Sequence, residues 1–507
     1  MPFFSLYIHL QFLFITANKS AVVIGAGFAG LSSACFLAKG GAKVLVLEKQ
    51  STPGGRAAQL KTQGFTFDMG PSWYWMPDVF DRFFECFGKR RSDYYQLQRL
   101  DPSYRVYWPD NYTDLPADLQ SLNRLFESLE PGSSDRLEKF LKEAKYKYDV
   151  GIKKLVQKPG LSVLEFLDPD VIKGAFQLDL LTSMEKHVDK LFKHPQLREI
   201  LKFPVLFLGA LPRDTPALYS LMNYADIVGG TWYPQGGMYS IVNAMYKLAL
   251  ELGVEFRFDE PVTQLTVTNK CIEKVVTFRE TYHPSVVVGA ADYHHIETAL
   301  LPAAFQSYSD SYWNSRSMAP GCLLYYVGLN KKISGLQHHS LFFDTDFTKH
   351  SGEIYDEPKW PSDPLFYVCA SSVTDPDCAP EGYENLFFLV PVAAGLPGET
   401  EALKERYFEM IWRRFRERFS EDLDDAIIFR QSFGLTDFKT AYNSFKGNAY
   451  GLANTLKQTA IFKPSMRSKK VGNLFYTGQL TVPGPGVPPS LISGEVVARE
   501  VFRYLQK

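Results

Sequence analysis

Cysteine is scarce in this chain, with six in 507 residues, at Cys35, Cys86, Cys271, Cys322, Cys369 and Cys378. They are scattered through the sequence, with no C-x-x-C pair, so neither a structural metal site nor a disulfide framework is indicated. A reducing, cytoplasmic setting is expected. An excess of either charge is also missing, since 55 basic residues balance 56 acidic ones. That removes the electrostatic footprint of a nucleic-acid binder. No uninterrupted apolar run is long enough to span a bilayer, which needs about 20 residues. The first 19 residues are apolar but lack a basic n-region and a small-residue cleavage site. They are expected to be a start-site artefact or a monotopic membrane contact rather than a secretory signal. Internal repeats and low-complexity linkers are absent. The adjacent pairs His294–His295 and His338–His339 are not expected to share a metal, because neighbours on a strand point to opposite faces. Aromatics, by contrast, are plentiful at 15%. This suits an enzyme with a large apolar cavity, and equally a compositional habit.

The most informative segment is AVVIGAGFAGLSSACFLAKGGAKVLVLEK (Ala21 to Lys49). It reads as a buried strand, a turn, a helix and a second buried strand. Gly25, Gly27 and Gly30 form G-x-G-x-x-G at the turn. Gly25 permits the tight bend, Gly27 lets backbone amides approach a pyrophosphate, and Gly30 lets helix and strand pack closely. The helix N-terminus offers partial positive charge. Glu48, ending the second strand, is placed to accept from ribose hydroxyls, and its carboxylate would repel a 2′-phosphate. PGGR (Pro53 to Arg56) follows at once, where a loop folds back toward the pyrophosphate. GFTFDMGPSWYW (Gly64 to Trp75) then places Asp68 and Gly70 after an alternating strand.

Residues 115–207 read as helical, including an amphipathic stretch capped at Ser134 or Asp135. A helix over 240–252 and strands over 254–258, 262–268, 274–278 and 286–290 return to the pattern of the first domain. Strands over 322–329, 365–370 and 385–392 follow, with an amphipathic helix over 400–419. The C-terminal 471–505 reads as a strand, a Gly/Pro loop and a final helix, whose N-terminus can bring amides toward a negatively charged group. The expected fold class is therefore α/β: a Rossmann-like domain with an inserted substrate domain of mixed sheet and helices. The division expected is 1–19 as an apolar extension, 20–85, 225–295 and 470–507 as the cofactor domain, and 86–224 with 296–469 as the substrate domain.

The GG-R and D-x-G segments resemble those of FAD-dependent amine oxidases and carotenoid desaturases. FDMGPSWYWMPDVF, PALYSLMNYADIVGGTWYPQGGMYSIV, VTDPDCAPEGYENLFFLVPV, DFKTAYNSFKGNAYGL and GQLTVPGPGVPPSLISGE narrow the resemblance to the bacterial-type phytoene desaturases. That resemblance implies an FAD-dependent oxidoreductase acting on CH–CH bonds in carotenoid biosynthesis. It would introduce double bonds into a long apolar polyene by hydride transfer to flavin. It implies peripheral association with the inner face of the membrane and quinone or oxygen as electron acceptor. Carried over by position, FAD would be contacted by Gly25, Gly27, Gly30, Glu48, Lys49, Gly55, Arg56, Gly70, Pro71, Ser72, Val262, Asp292, Gly478, Gly486 and Val487. Asp168 is the carried-over candidate for the proton acceptor, with a water as the alternative. Trp73, Trp232 and Tyr233 are candidates for stabilising a polyene cation through their ring faces. The chain departs from the family pattern at Gln479–Leu480 and Thr481–Val482–Pro483, and no arginine accompanies Asp168. The same framework also fits a carotenoid isomerase, a carotenoid oxygenase, a retinol-saturase-like enzyme or an FAD amine oxidase.

Overall fold

Valine-rich strands that are buried on both faces pair in parallel, because crossover helices cover both sides of such a sheet. In the computed structural model, which describes residues 19–166, 182–455 and 457–506, five strands form one parallel sheet, with the largely exposed Glu255–Arg257 at its edge. Their order is Leu474–Tyr476, Val286–Gly289, Ser20–Ile24, Lys43–Leu47 and Glu255–Arg257. The helix Phe28–Lys39 starts directly after the first strand, and the final helix Val487–Leu505 packs along it. Two small residues set that approach. A Cβ on Gly494 would lie 2.6 Å from Ser32 Cβ, and Ser32 Oγ donates to the Leu491 carbonyl at 2.7 Å.

A second sheet of seven strands runs Ile427–Phe433, Gly321–Leu329, Glu384–Val392, Phe366–Cys369, His339–Phe342, Tyr104–Tyr107 and Tyr112–Leu115. All its pairings are antiparallel except that of His339–Phe342 with Tyr104–Tyr107. Side chains alternate across it. Tyr325, Phe342, Phe366 and Phe388 pack on the helix Glu401–Arg416 through Phe408, Ile411 and Phe415. Leu324, Leu341, Tyr367 and Leu389 face a central cavity. Helices Leu119–Leu129, Ser133–Val150, Met184–Leu191 and Pro195–Lys202 lie between the strands of this sheet in sequence.

One cap differs from the sequence reading. The helix Ser133–Val150 begins after Gly132, and Glu127 of the preceding helix accepts from the Gly132 and Ser134 amides at 2.7 and 3.2 Å. A long carboxylate from a neighbouring helix has displaced the local Ser or Asp cap. Among the described residues no helix is long and apolar enough to cross a membrane.

Candidate active site

The first turn is built as its glycines require. Gly25 has φ +104°, and its amide donates to the Leu47 carbonyl at 2.8 Å, tying the first two parallel strands together. A Cβ on Gly30 would lie 2.0 Å from the Gly25 carbonyl oxygen, so only glycine lets the helix sit so close. Gly30 is thus a packing residue and does not line the cavity. A Cβ on Gly27 would meet nothing nearer than 3.9 Å, so the missing side chain leaves open space for a ligand. The Gly54 amide reaches the Ala26 carbonyl at 2.9 Å, which folds the PGGR loop over this turn. Gly70 explains why the two short motifs go together. A Cβ there would stand 2.2 Å from the Arg56 carbonyl oxygen, and the Met69 amide donates to Ala58 at 2.8 Å.

One cavity of about 490 Å³ unites these parts. Gly25, Gly27, Glu48, Lys49, Gly55, Arg56, Gly70, Pro71, Ser72, Val262, Asp292, Gly478, Gly486 and Val487 all line it, from segments more than 400 residues apart in sequence. Asp168 lies outside the described residues. Trp73 lines the cavity, whereas Trp232 and Tyr233 do not. Trp232 donates its indole N–H to the Gly229 carbonyl at 2.8 Å, and Tyr233 donates to Asp375 at 2.9 Å, so both rings are used in packing instead.

The polar end is charged and desolvated. Glu48 Oε2 accepts from the Ala26 amide at 2.7 Å and Oε1 from the Gln50 amide at 2.9 Å. Burial pushes its carboxyl above the ordinary range, and those amides oppose the shift. Asp292 accepts from the His295 and Phe445 amides at 3.1 and 3.2 Å, and burial raises it while Arg56 pulls it down. Arg56 donates to Ser444 Oγ at 3.0 Å and lies 5.6 Å from the Tyr442 ring centre, yet its buried Nε has no partner among the described residues. With its amide oxygen turned toward Arg56, Gln479 accepts from Nη2 at 3.0 Å. The departure from the family pattern at Gln479 therefore has a local reason. Tyr442 and Ser444 escaped the sequence reading, and Gln479 entered it only as a departure from the family pattern, because only the fold brings them to Arg56.

The final helix offers fewer amides than its sequence first suggests. It starts at Val487, and Pro488 and Pro489 have no N–H, so Val487 is left as the amide facing the loop. The other end of the cavity is apolar, with Phe203, Leu206, Leu211, Leu341 and Phe343 on its walls.

The rule for neighbours on a strand fails at His338–His339. Only His339 belongs to the strand His339–Phe342, so His338 is free to turn, and the rings stand 4.5 Å apart. Both Nδ1 atoms are taken by hydroxyls, His338 by Thr374 at 2.7 Å and His339 by Tyr367 at 2.6 Å.

An open glycine cradle, an acid at the second strand end and an orphaned buried guanidinium nitrogen fit a dinucleotide diphosphate. The comparisons with known proteins agree. The flavin containing amine oxidoreductase family matches residues 28–502. The chain is 41% identical to a carotenoid 3,4-desaturase of Haloarcula japonica, covering 96% of this chain and 98% of that protein. It is 32% identical to a zeta-carotene-forming phytoene desaturase of Myxococcus xanthus, covering 96% and 95%. Among solved structures, an oxidoreductase from Methanosarcina mazei superposes with a TM-score of 0.62 at 15% identity, covering 94% and 98%. That last likeness concerns the fold alone.

Proposed function

The chain belongs to the flavin containing amine oxidoreductases, among their carotenoid desaturases, and we propose that this cavity holds FAD at the glycine end and a polyene at the apolar end. It is an FAD-dependent oxidoreductase acting on CH–CH bonds, and its chemistry is carotenoid desaturation. The observation that carries the proposed arrangement is the continuity of the cavity. Its lining passes from Gly27, Glu48 and Arg56 through Gly70 to Trp73 and then to Phe203, Leu206 and Leu341.

Bound FAD supplies a two-electron acceptor for a hydride from carbon. The chain's own residues do the rest. Gly27 and Gly55 leave room for the diphosphate, and Arg56 offers its free Nε–H toward negative charge. Glu48 keeps lone pairs for ribose hydroxyls while the Ala26 and Gln50 amides fix its carboxylate. Val262 and Asp292 flank the nucleotide, and Gly478, Gly486 and Val487 flank the flavin. The apolar walls exclude water and hold the polyene extended, so catalysis rests chiefly on positioning. The cofactor domain comprises the parallel-sheet segments, and the seven-stranded sheet roofs the substrate half.

Membrane contact belongs to the same proposal. Leu161, Leu164 and Phe462 are exposed, Leu164 by 74%. They sit on abutting turns, since a Cβ on Gly160 would lie 3.4 Å from the Ala460 carbonyl oxygen and 3.1 Å from Val482. Val482 leads to the cavity-lining Pro485 to Pro489. An apolar rim beside the cavity suits uptake of a substrate dissolved in lipid. Quinone or oxygen would then reoxidise the flavin.

Expression in a phytoene-accumulating bacterial host tests the reading. Desaturation lengthens the conjugated chain, so new absorption bands in the visible are expected, their positions counting the bonds formed. FAD-loaded protein that leaves every supplied carotenoid spectrum unchanged would count against it.

A further inference from the structure

Removing two hydrogens from adjacent carbons sends one away as hydride and the other as a proton, and the proton needs an acceptor. The apolar half of the cavity has few candidates. His350 lines it, but its Nδ1 accepts from the Leu365 amide and its Nε2 donates to the Pro391 carbonyl, both at 3.0 Å. Neither nitrogen is free.

Tyr367 is different. Its ring and hydroxyl lie on the cavity-facing side of the seven-stranded sheet. The hydroxyl stands 2.9 Å from Ser72 Oγ and 2.6 Å from His339 Nδ1. These distances allow either direction; in the one the relay below uses, Ser72 donates to Tyr367 and Tyr367 donates to Nδ1, which places the His339 proton on Nε2. That Nε2 is buried with no partner among the described residues. Evolution of a fully buried imidazole with an orphaned nitrogen has no packing reason, because a leucine would fill the place at lower desolvation cost.

We propose that Tyr367 is the catalytic proton acceptor of the desaturation and that His339 acts through it as a positioning and proton-holding residue. This rests on the reading of the cavity as a desaturase site. The C–H bond beside the polyene breaks, and its electron pair becomes the new π bond. The proton goes to the Tyr367 oxygen as the phenol's own proton moves to His339 Nδ1. The two electrons leave with the other hydrogen, as the hydride that FAD accepts.

Three further observations support the chain. Burial holds His339 far below the usual imidazole range, so it is neutral, and in the Nε2–H tautomer its Nδ1 carries the lone pair the relay needs. A C–H next to an electron-deficient polyene is acidic enough for a weak base. Trp73 stacks on the His339 ring at 4.1 Å and 10°, a face that favours the imidazolium once it forms. Finally, a second cavity of about 20 Å³ lies behind, lined by Ser72, His338 and Asp68. It is large enough for one water next to Ser72, the outer member of the hydroxyl chain.

The test uses the FAD-loaded full chain in liposomes with a carotenoid that the unaltered protein desaturates. Turnover by the unaltered protein checks the desaturase reading separately. Y367F removes the acceptor oxygen, and H339Q keeps a hydrogen-bonding oxygen near Tyr367 while removing the basic nitrogen. Each is expected to lower kcat by at least about tenfold with KM little changed and FAD retained. H339A is expected to regain activity with added imidazole, which a merely structural role would not produce. If one variant fails to hold FAD, the other two decide. Folded Y367F or H339Q with kcat within about twofold of the unaltered chain, or folded H339A without imidazole rescue, would overturn the proposal.

Discussion

Asp68 caps the helix that begins at Tyr239, across 170 residues of chain: its carboxylate accepts from the Met238 amide at 2.6 Å and the Tyr239 amide at 3.0 Å. A Cβ on Gly237 would meet Asp68 Oδ2 at 2.6 Å, so the glycine beside the cap admits the carboxylate. Burial pushes the Asp68 carboxyl up to about 7, against an ordinary 3.8. An acid whose folded value is raised takes up a proton on folding between those values. Its contribution to stability is complete below about 4 and is lost as pH rises toward 7. D68N removes that dependence. The melting temperature of the unaltered protein should fall with pH across this window more steeply than that of D68N, the extra slope being at most about 1.4 kcal/mol per pH unit. Parallel curves for the two proteins would refute the assignment.

Glu48 ties the cofactor end together. Its two oxygens each hold one amide, so E48A leaves the Ala26 and Gln50 amides short of an acceptor and removes the ribose acceptor as well. Loss of FAD affinity by about tenfold to hundredfold is expected, with E48Q nearer the unaltered protein because it keeps one oxygen. Flavin fluorescence titration of the apoprotein measures this directly. Equal affinity for E48A and the unaltered chain would remove Glu48 from the FAD site.

The final helix is clamped to the helix Pro77–Glu85 by a two-pronged ion pair. Arg82 Nη1 and Nη2 meet the two Glu495 oxygens at 2.7 and 2.8 Å. Glu495 is nearly buried while Arg82 is 41% exposed, so solvent screens part of the attraction. R82A should cost about 1 to 2 kcal/mol in denaturant unfolding, and the difference should shrink in molar salt. An unchanged midpoint would show that the clamp adds nothing.

Much of this was legible in the sequence because the signals are local. G-x-G-x-x-G, the strand ending at Glu48 and the continuous apolar run of Gly321–Leu329 depend on neighbours a few residues away. The family resemblance extended that reach to Val262, Asp292 and Gly478, which no spacing rule would have joined. What escaped depends on long-range closure. Tyr442, Ser444 and Gln479 meet Arg56 only when segments far apart in the sequence come together. Trp232 and Tyr233 carried the same aromatic signal as Trp73, yet only Trp73 faces the cavity. Residue type shows that a ring is large and apolar, and only the fold decides which way it points.

Lys463 shows how a buried charge near the Gly/Pro loop should behave. It is 5% exposed, and its Nζ has no partner among the described residues. Its Cε lies 3.3 Å from where a Cβ on Gly484 would stand, beside the equally orphaned Asn454 Oδ1. Desolvation lowers the ammonium to about 7 from 10.5. A base whose folded value is depressed releases its proton on folding between those values. Stability from this group is therefore full above about 10.5 and is lost as pH falls toward 7, the opposite sign to Asp68. K463M keeps the length of the side chain without the charge. It should raise the melting temperature at pH 7 and remove the rise in stability between pH 7 and 9. The FAD-loaded protein is the right sample, because the loop carries the cavity-lining residues Pro485 and Gly486. A K463M protein that melts lower than the unaltered one at every pH would mean that the ammonium has a partner when FAD is bound, and its place beside Gly484 would then be a contact to the cofactor or its water.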